Sequence, residues 1–66
     1  MKFKVLETFS DGDMPRITSA IISVDPDAKV AADVRENTVD IDSWLFAEEF
    51  VVAFRDAGYD VRIAQR

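Results

Sequence analysis

Ser10-Asp11-Gly12-Asp13 offers one hydroxyl and two carboxylates within four residues, ahead of an expected helix. Oxygen donors of this kind suit hard cations such as Mg²⁺, Ca²⁺ or Mn²⁺. The topology developed below brings Asp60 and Glu36 to the same end, so Ser10, Asp11, Asp13 and Asp60 form the candidate metal set, with Glu36 nearby. Ca²⁺ asks for about six to eight oxygens, and the long patterned array of an EF-hand is absent, so only a weakly bound divalent cation is expected. A plainer role competes with it: acidic residues at the start of a helix satisfy its free N–H groups and sit well at its positive end. On that account the loop caps the first helix and no cofactor is required.

Other chemistry is removed by what the chain lacks. There is no cysteine and no histidine, so there is no thiolate nucleophile, no imidazole base, no disulfide, and neither of the usual ligand types for Zn²⁺ or Cu⁺. Met14 is the only thioether near the acidic loop. The pairs Asp25/Asp27, Asp40/Asp42 and Glu48/Glu49 are read as solvated surface, since acid–base work needs a cleft that raises one pKa. No nucleophile–base pair, phosphate-cradling glycine loop or cofactor fingerprint exists, and an enzyme is not expected. Eight Lys+Arg against 13 Asp+Glu give 8 − 13 = −5, which disfavours nucleic acid and anionic membrane as partners. No apolar run nears the ~20 residues of a membrane span, and the opening Met1 to Leu6 is too short and polar for a signal segment. A cytoplasmic protein of one domain, residues 1–66, or a domain of a longer chain, is the expectation.

The elements that must hold the loop follow from periodicity. Residues 2–8 read as a strand with Phe3 and Val5 on one face. Ser10 to Asp13 breaks it, and Pro15, tolerated in the first turn of a helix, starts a helix near Met14. Ile17, Ala20, Ile21 and Val24 form the helix's apolar face until Asp25-Pro26-Asp27 ends it. Two strands follow, with Val30, Ala32 and Val34, then Val39 and Ile41, facing inward around a hairpin turn at Arg35-Glu36-Asn37. Ser43 is expected to cap a second helix running to Ala57, its stripe being Ala47, Phe50, Ala53, Phe54 and Ala57, with Gly58 as the left-handed residue after it. Val61 and Ile63 alternate in a last strand. Right-handed crossovers join these as a ferredoxin-like βαββαβ sandwich, with an antiparallel sheet of order 4-1-3-2 and both helices on one face.

Phe3-Lys4-Val5, Ile17-Thr18-Ser19-Ala20-Ile21, Val24-Asp25-Pro26-Asp27-Ala28-Lys29-Val30, Val39-Asp40-Ile41-Asp42-Ser43, Ala47-Glu48 and Ala57-Gly58-Tyr59 follow one another at a characteristic spacing. In that order they resemble the heavy-metal-associated domain of copper chaperones and of metal-transporting P-type ATPases. The resemblance runs without gaps over nearly the whole chain and implies the same fold. The family's M-x-C-x-x-C motif falls on Thr8, Ser10 and Asp13, so every soft ligand is replaced. Carriage of Cu⁺ by the family's mechanism is therefore chemically implausible here.

The second excess is apolar. With the core stripes assigned, Trp44, Phe46 and Val51 remain, along with Ile22 and Leu6, and Phe46 is expected in the first turn of the second helix. Clustered exposed aromatics mark contact surfaces, although a hydrophobic staple also places one there. Tyr59 is expected beside the acidic loop, as a partly buried ring whose hydroxyl reaches water or a carboxylate. Trp44, Phe46, Val51 and Tyr59 are the candidate interaction residues, for a protein partner or for self-association through the second helix. The preferred expectation is an interaction or regulatory module; the alternative is a cation-binding or metal-trafficking domain using the acidic loop.

Overall fold

Alternating apolar residues build the sheet, and turn chemistry sets its limits. A computed structural model describes all 66 residues: β1 Lys2–Val5, a 3₁₀ turn Asp11–Asp13, α1 Met14–Val24, β2 Lys29–Asp33, β3 Thr38–Asp42, α2 Ala47–Asp56 and β4 Val61–Gln65. The four strands form one antiparallel sheet of order β2-β3-β1-β4, the expected ferredoxin-like topology. Phe3 lies opposite Val39 on one side and Ile63 on the other, so the three point to one face. Against that face pack Ile17 and Ile21 of α1 and Phe50 and Phe54 of α2, all fully buried. The Phe3 ring meets Phe50 edge-on at 6.4 Å and Phe54 at 5.4 Å between centroids. These are the offset geometries aromatic quadrupoles favour.

Strand β1 stops at Val5, short of the expected Thr8, and the cause is Asn37 in the hairpin. This residue holds a left-handed φ of 59°, a conformation that Asn tolerates better than most residues. Its amide Nδ2 donates to the carbonyls of Val5 and Glu7, each at 2.6 Å, and its Oδ1 accepts the Phe9 N–H at 3.3 Å. The chain after Val5 bends around this side chain instead of continuing beside β3. Phe9, the one aromatic in an otherwise polar loop, is thereby carried into the core.

The start of α2 also differs from expectation. The helix begins at Ala47, and its N-cap is Phe46, with extended φ −77° and ψ 148°. A phenyl ring has no oxygen to accept a helix N–H, so only half of a capping box forms: Glu49 Oε2 accepts the Phe46 N–H at 3.1 Å. Ser43 caps nothing in the helix. Its Oγ accepts the Leu45 N–H at 3.1 Å and donates to Asp25 Oδ2 at 2.6 Å. Asp25, expected as solvated surface, is 5% exposed, and its Oδ1 accepts the Asp27 N–H at 3.0 Å. Burial of this carboxylate is tolerable because both oxygens are bonded. Two further expectations fail at the sheet and helix edges: Ala32, on the outermost strand, and Val24, at the end of α1, are both exposed.

The exit of α2 follows expectation. Gly58 has φ 98°, and the Tyr59 N–H donates to Phe54 O at 2.9 Å while the Gly58 N–H donates to Arg55 O at 3.0 Å. This is the Schellman closure, available at low cost to glycine. It directs the chain so that Tyr59 turns back toward the acidic loop.

Candidate functional site

The acidic loop is closed by its own hydrogen bonds. Asp13 Oδ2 accepts the Ser10 N–H at 2.9 Å, and the Ser10 Oγ lies 3.4 Å from the same oxygen. Asp13 Oδ1 accepts the Tyr59 hydroxyl at 2.7 Å. Contrary to expectation, Asp13 does not cap α1 with its side chain; it folds back on Ser10 and clamps the ring of Tyr59. Met14 leaves the loop altogether and packs half-buried on the core.

Of the candidate metal set, only Ser10 and Asp13 are brought together by side-chain bonds. Asp11 is exposed, and Asp60 serves through its backbone, its N–H donating to Glu7 Oε1 at 3.3 Å and its carbonyl accepting the Leu6 N–H at 2.8 Å. Glu36 likewise acts through its carbonyl, which accepts Lys4 Nζ at 2.6 Å. No three carboxylates converge as an ion would need. A soft ion such as Cu⁺ fits this loop no better, because every donor in it is oxygen.

The clamp sets the charge state of both partners. The Ser10 amide first, and the Tyr59 hydroxyl second, hold the Asp13 carboxyl below the usual carboxylate range. Burial first, then the bond to the Asp13 carboxylate, pushes the Tyr59 phenol up. A depressed carboxylate stabilises the fold above its unfolded value of about 3.9, and this contribution is lost as pH falls through the lower folded value. A raised phenol stabilises below its unfolded value of about 10, and this is lost as pH rises through the higher folded value. Tyr59→Phe is therefore expected to be less stable than the parent at neutral pH and to approach it in acid. Urea midpoints from pH 2 to 7 test this; a difference constant across the range would mean that the Asp13 bond is not its source.

The candidate contact residues divide. Trp44 and Phe46 are 84% and 78% exposed, close together in sequence ahead of α2. Neither folds back as a staple. Val51 is corrected: it packs half-buried against the core, while its neighbour Val52 is the exposed one. Tyr59 is corrected too, since at 7% exposure it offers little surface to a partner. Its hydroxyl reaches a carboxylate, as expected. Asn37, Phe9 and Asp25 were not among the candidates, yet they shape the two loop ends; the only sequence signals for them are an Asn in a short turn, a lone aromatic in a polar loop, and an Asp-Pro after a helix.

The two features lie at opposite ends of the domain. The acidic loop follows the C-terminal end of β1 and adjoins the β2–β3 hairpin, whereas Trp44 and Phe46 follow the far end of β3, beside Asp25 and the α1–β2 turn. A single ion pair is present, Arg66 to Glu48 at 2.6 Å, and it is exposed. Such a pair contributes little.

No protein-family model matches the chain, and no curated protein matches it. Solved structures do. The copper chaperone Atx1 from Synechocystis PCC6803, in a trimeric form, is 27% identical with a TM-score of 0.87, over 94% of this chain and 98% of that one. A gold-binding protein is 27% identical with a TM-score of 0.86, over 94% of this chain and 95% of its own. The Cu2 form of the same Atx1 is 26% identical, with a TM-score of 0.86 over 94% and 98%. The fold of this chain is that of the copper chaperones, as the resemblance implied.

Proposed function

We propose that this chain is a protein-interaction module built on the copper-chaperone scaffold, one that does not carry Cu⁺. The carrying observation is the Ser10–Asp13–Tyr59 clamp: where the related structures are named for metal, this loop holds only oxygen donors, with both oxygens of its key carboxylate bonded inside the protein. A loop of this kind offers a soft ion nothing it prefers. The second support is the exposure of Trp44 and Phe46 at the other end. Aromatic residues are enriched where proteins meet, and neither of these two exposed rings is part of the buried core.

Two measurements on one sample test this. In an NMR titration with Cu⁺, Zn²⁺, Mg²⁺, Ca²⁺ and Mn²⁺, resonances of residues 10–14 stay in place to millimolar metal. Tight one-to-one uptake of Cu⁺ or Zn²⁺ at this loop overturns the reading, and saturable movement with Mg²⁺, Ca²⁺ or Mn²⁺ confined to residues 10–14 favours the cation-binding alternative instead. In light scattering and in saturable binding to a purified partner, Trp44→Ala and Phe46→Ala weaken association. Each changes folding stability by no more than about 0.5 kcal/mol, as exposed substitutions do. Unchanged association in both variants counts against the aromatic pair as the contact.

A further inference from the structure

We infer that the outer face of the α1/α2 layer is self-complementary, so that a second copy of this chain docks on it about a two-fold axis running parallel to the helices; this rests on the interaction reading above and names the partner. The face carries a groove of about 390 Å³ between the helices. Arg16 and Asp56 line one end of it, Ala20 and Val52 its length, and Val24 and Glu49 the other end. The ends are assigned by direction: α1 runs away from the acidic loop and α2 runs back toward it, so the start of α1 lies beside the end of α2.

A two-fold rotation about that axis lays α1 of each copy over α2 of the other without exchanging the two ends. Isologous pairing then makes each contact twice. Arg16 of one copy meets Asp56 of the second. Neither forms a salt bridge within one chain, the one such pair being Arg66–Glu48, although the Arg16 guanidinium also lies near enough to Asp13 and Tyr59 to act on both. In the middle, the exposed Val52 of α2 lies over the small Ala20 of α1. At the far end, Phe46, exposed just ahead of α2, comes over the exposed Val24 that ends α1. Opposite charges, large against small, and apolar against apolar thus coincide in one arrangement. Rotation about the perpendicular in-plane axis would instead stack α2 on α2 and set Asp56 against Glu49, two like charges.

The area sets the strength. Helices of 11 and 10 residues are about 16 Å long, and such a face is smaller than the ~800 Å² per partner of a standard interface. Association is accordingly weak, in the upper micromolar range or above.

Sedimentation equilibrium from about 10 μM to 1 mM protein, concentrations that bracket weak association, tests the pairing. The parent chain's mass rises from 7.4 kDa toward twice that value. Arg16→Asp alone and Asp56→Arg alone each weaken pairing about fivefold or more, as the loss and reversal of a charge contact does. The double variant restores it. Val52→Lys, at an exposed site whose change leaves the circular dichroism unaltered, abolishes pairing. A parent mass of 7.4 kDa at every concentration, a double variant no better than the singles, or a Val52→Lys chain that still pairs overturns the inference. A monomer that binds a different protein through Trp44 and Phe46 overturns self-pairing and leaves the interaction reading standing.

Discussion

A chain carrying Ser10→Cys together with Asp13→Cys is expected to bind one equivalent of Cu⁺ and to hold it against a chromogenic Cu⁺ chelator that the parent chain cannot outcompete. The reasoning is one of donors and distance. The Ser10 hydroxyl already lies 3.4 Å from a carboxylate oxygen of Asp13, so thiolates at the two positions fall within reach of one ion. Soft sulfur is what Cu⁺ prefers, and exchanging a hydroxyl and a carboxylate for two thiolates raises affinity by more than about three orders of magnitude. Asp13→Cys also removes the acceptor of the Tyr59 hydroxyl, which frees the loop to close on metal. If the double variant fails to compete while remaining folded, the backbone shape of the loop, and not its donor types, is what keeps Cu⁺ out.

Asn37→Ala is expected to cost about 3 kcal/mol. The substitution strands the Val5 and Glu7 carbonyls and the Phe9 N–H, and unsatisfied partners of this kind cost about 1–3 kcal/mol where they are buried. Alanine also lacks the tolerance of asparagine for φ 59°, which adds up to roughly 1 kcal/mol. A domain of this length is stabilised by only about 3–10 kcal/mol in all. Asn37→Gly separates the two parts, because glycine accepts the backbone angle but makes none of the bonds, so it should recover only about 1 kcal/mol of the loss. Urea unfolding of the three chains gives the comparison. Equal stability of parent and Asn37→Ala would mean that the bend after Val5 is held by the core packing of Phe9 alone.

Much of the fold was legible because its signals are local and repeated. Phe3 and Val5 alternate, Ile17 and Ile21 sit a helical turn apart, and Gly58 ends a helix in the one backbone region it enters freely. The four strands and two helices are found in the expected order, and the sheet order follows from handedness. The misplaced boundaries share a different cause. Ser43 has the chemistry of a cap, and nothing in the sequence near it reveals that Asp25, 18 residues earlier, competes for its hydroxyl. The end of β1 depends in the same way on Asn37, which stands about 30 residues away along the chain. Hydrogen bonds that side chains make to partners distant along the chain leave no period to read.

The site was legible in its donor chemistry and less so in its arrangement. The resemblance implies that Ser10 and Asp13 stand where the family's thiolates would be, which is a matter of alignment and residue type. That Asp13 turns to Tyr59 and not to the first turn of α1 depends on where Gly58 sends the chain, which is a property of the folded whole. The separation of Trp44 and Phe46 from Val51 has a similar origin: the helix is capped at Phe46, three residues beyond the expected Ser43, so Trp44 and Phe46 lie ahead of α2 while Val51 lies within it, packed against the core.

The Asp25–Ser43 bond has a bearing on recognition that its modest size conceals. By tying the turn after α1 to the segment before α2, and by fixing Leu45 through the same hydroxyl, it flanks Trp44 with anchored backbone on either side. If Trp44 is a contact as proposed, backbone already anchored on both sides of it leaves only the ring itself to be ordered on binding, and that preorganisation lowers the cost of a small footprint.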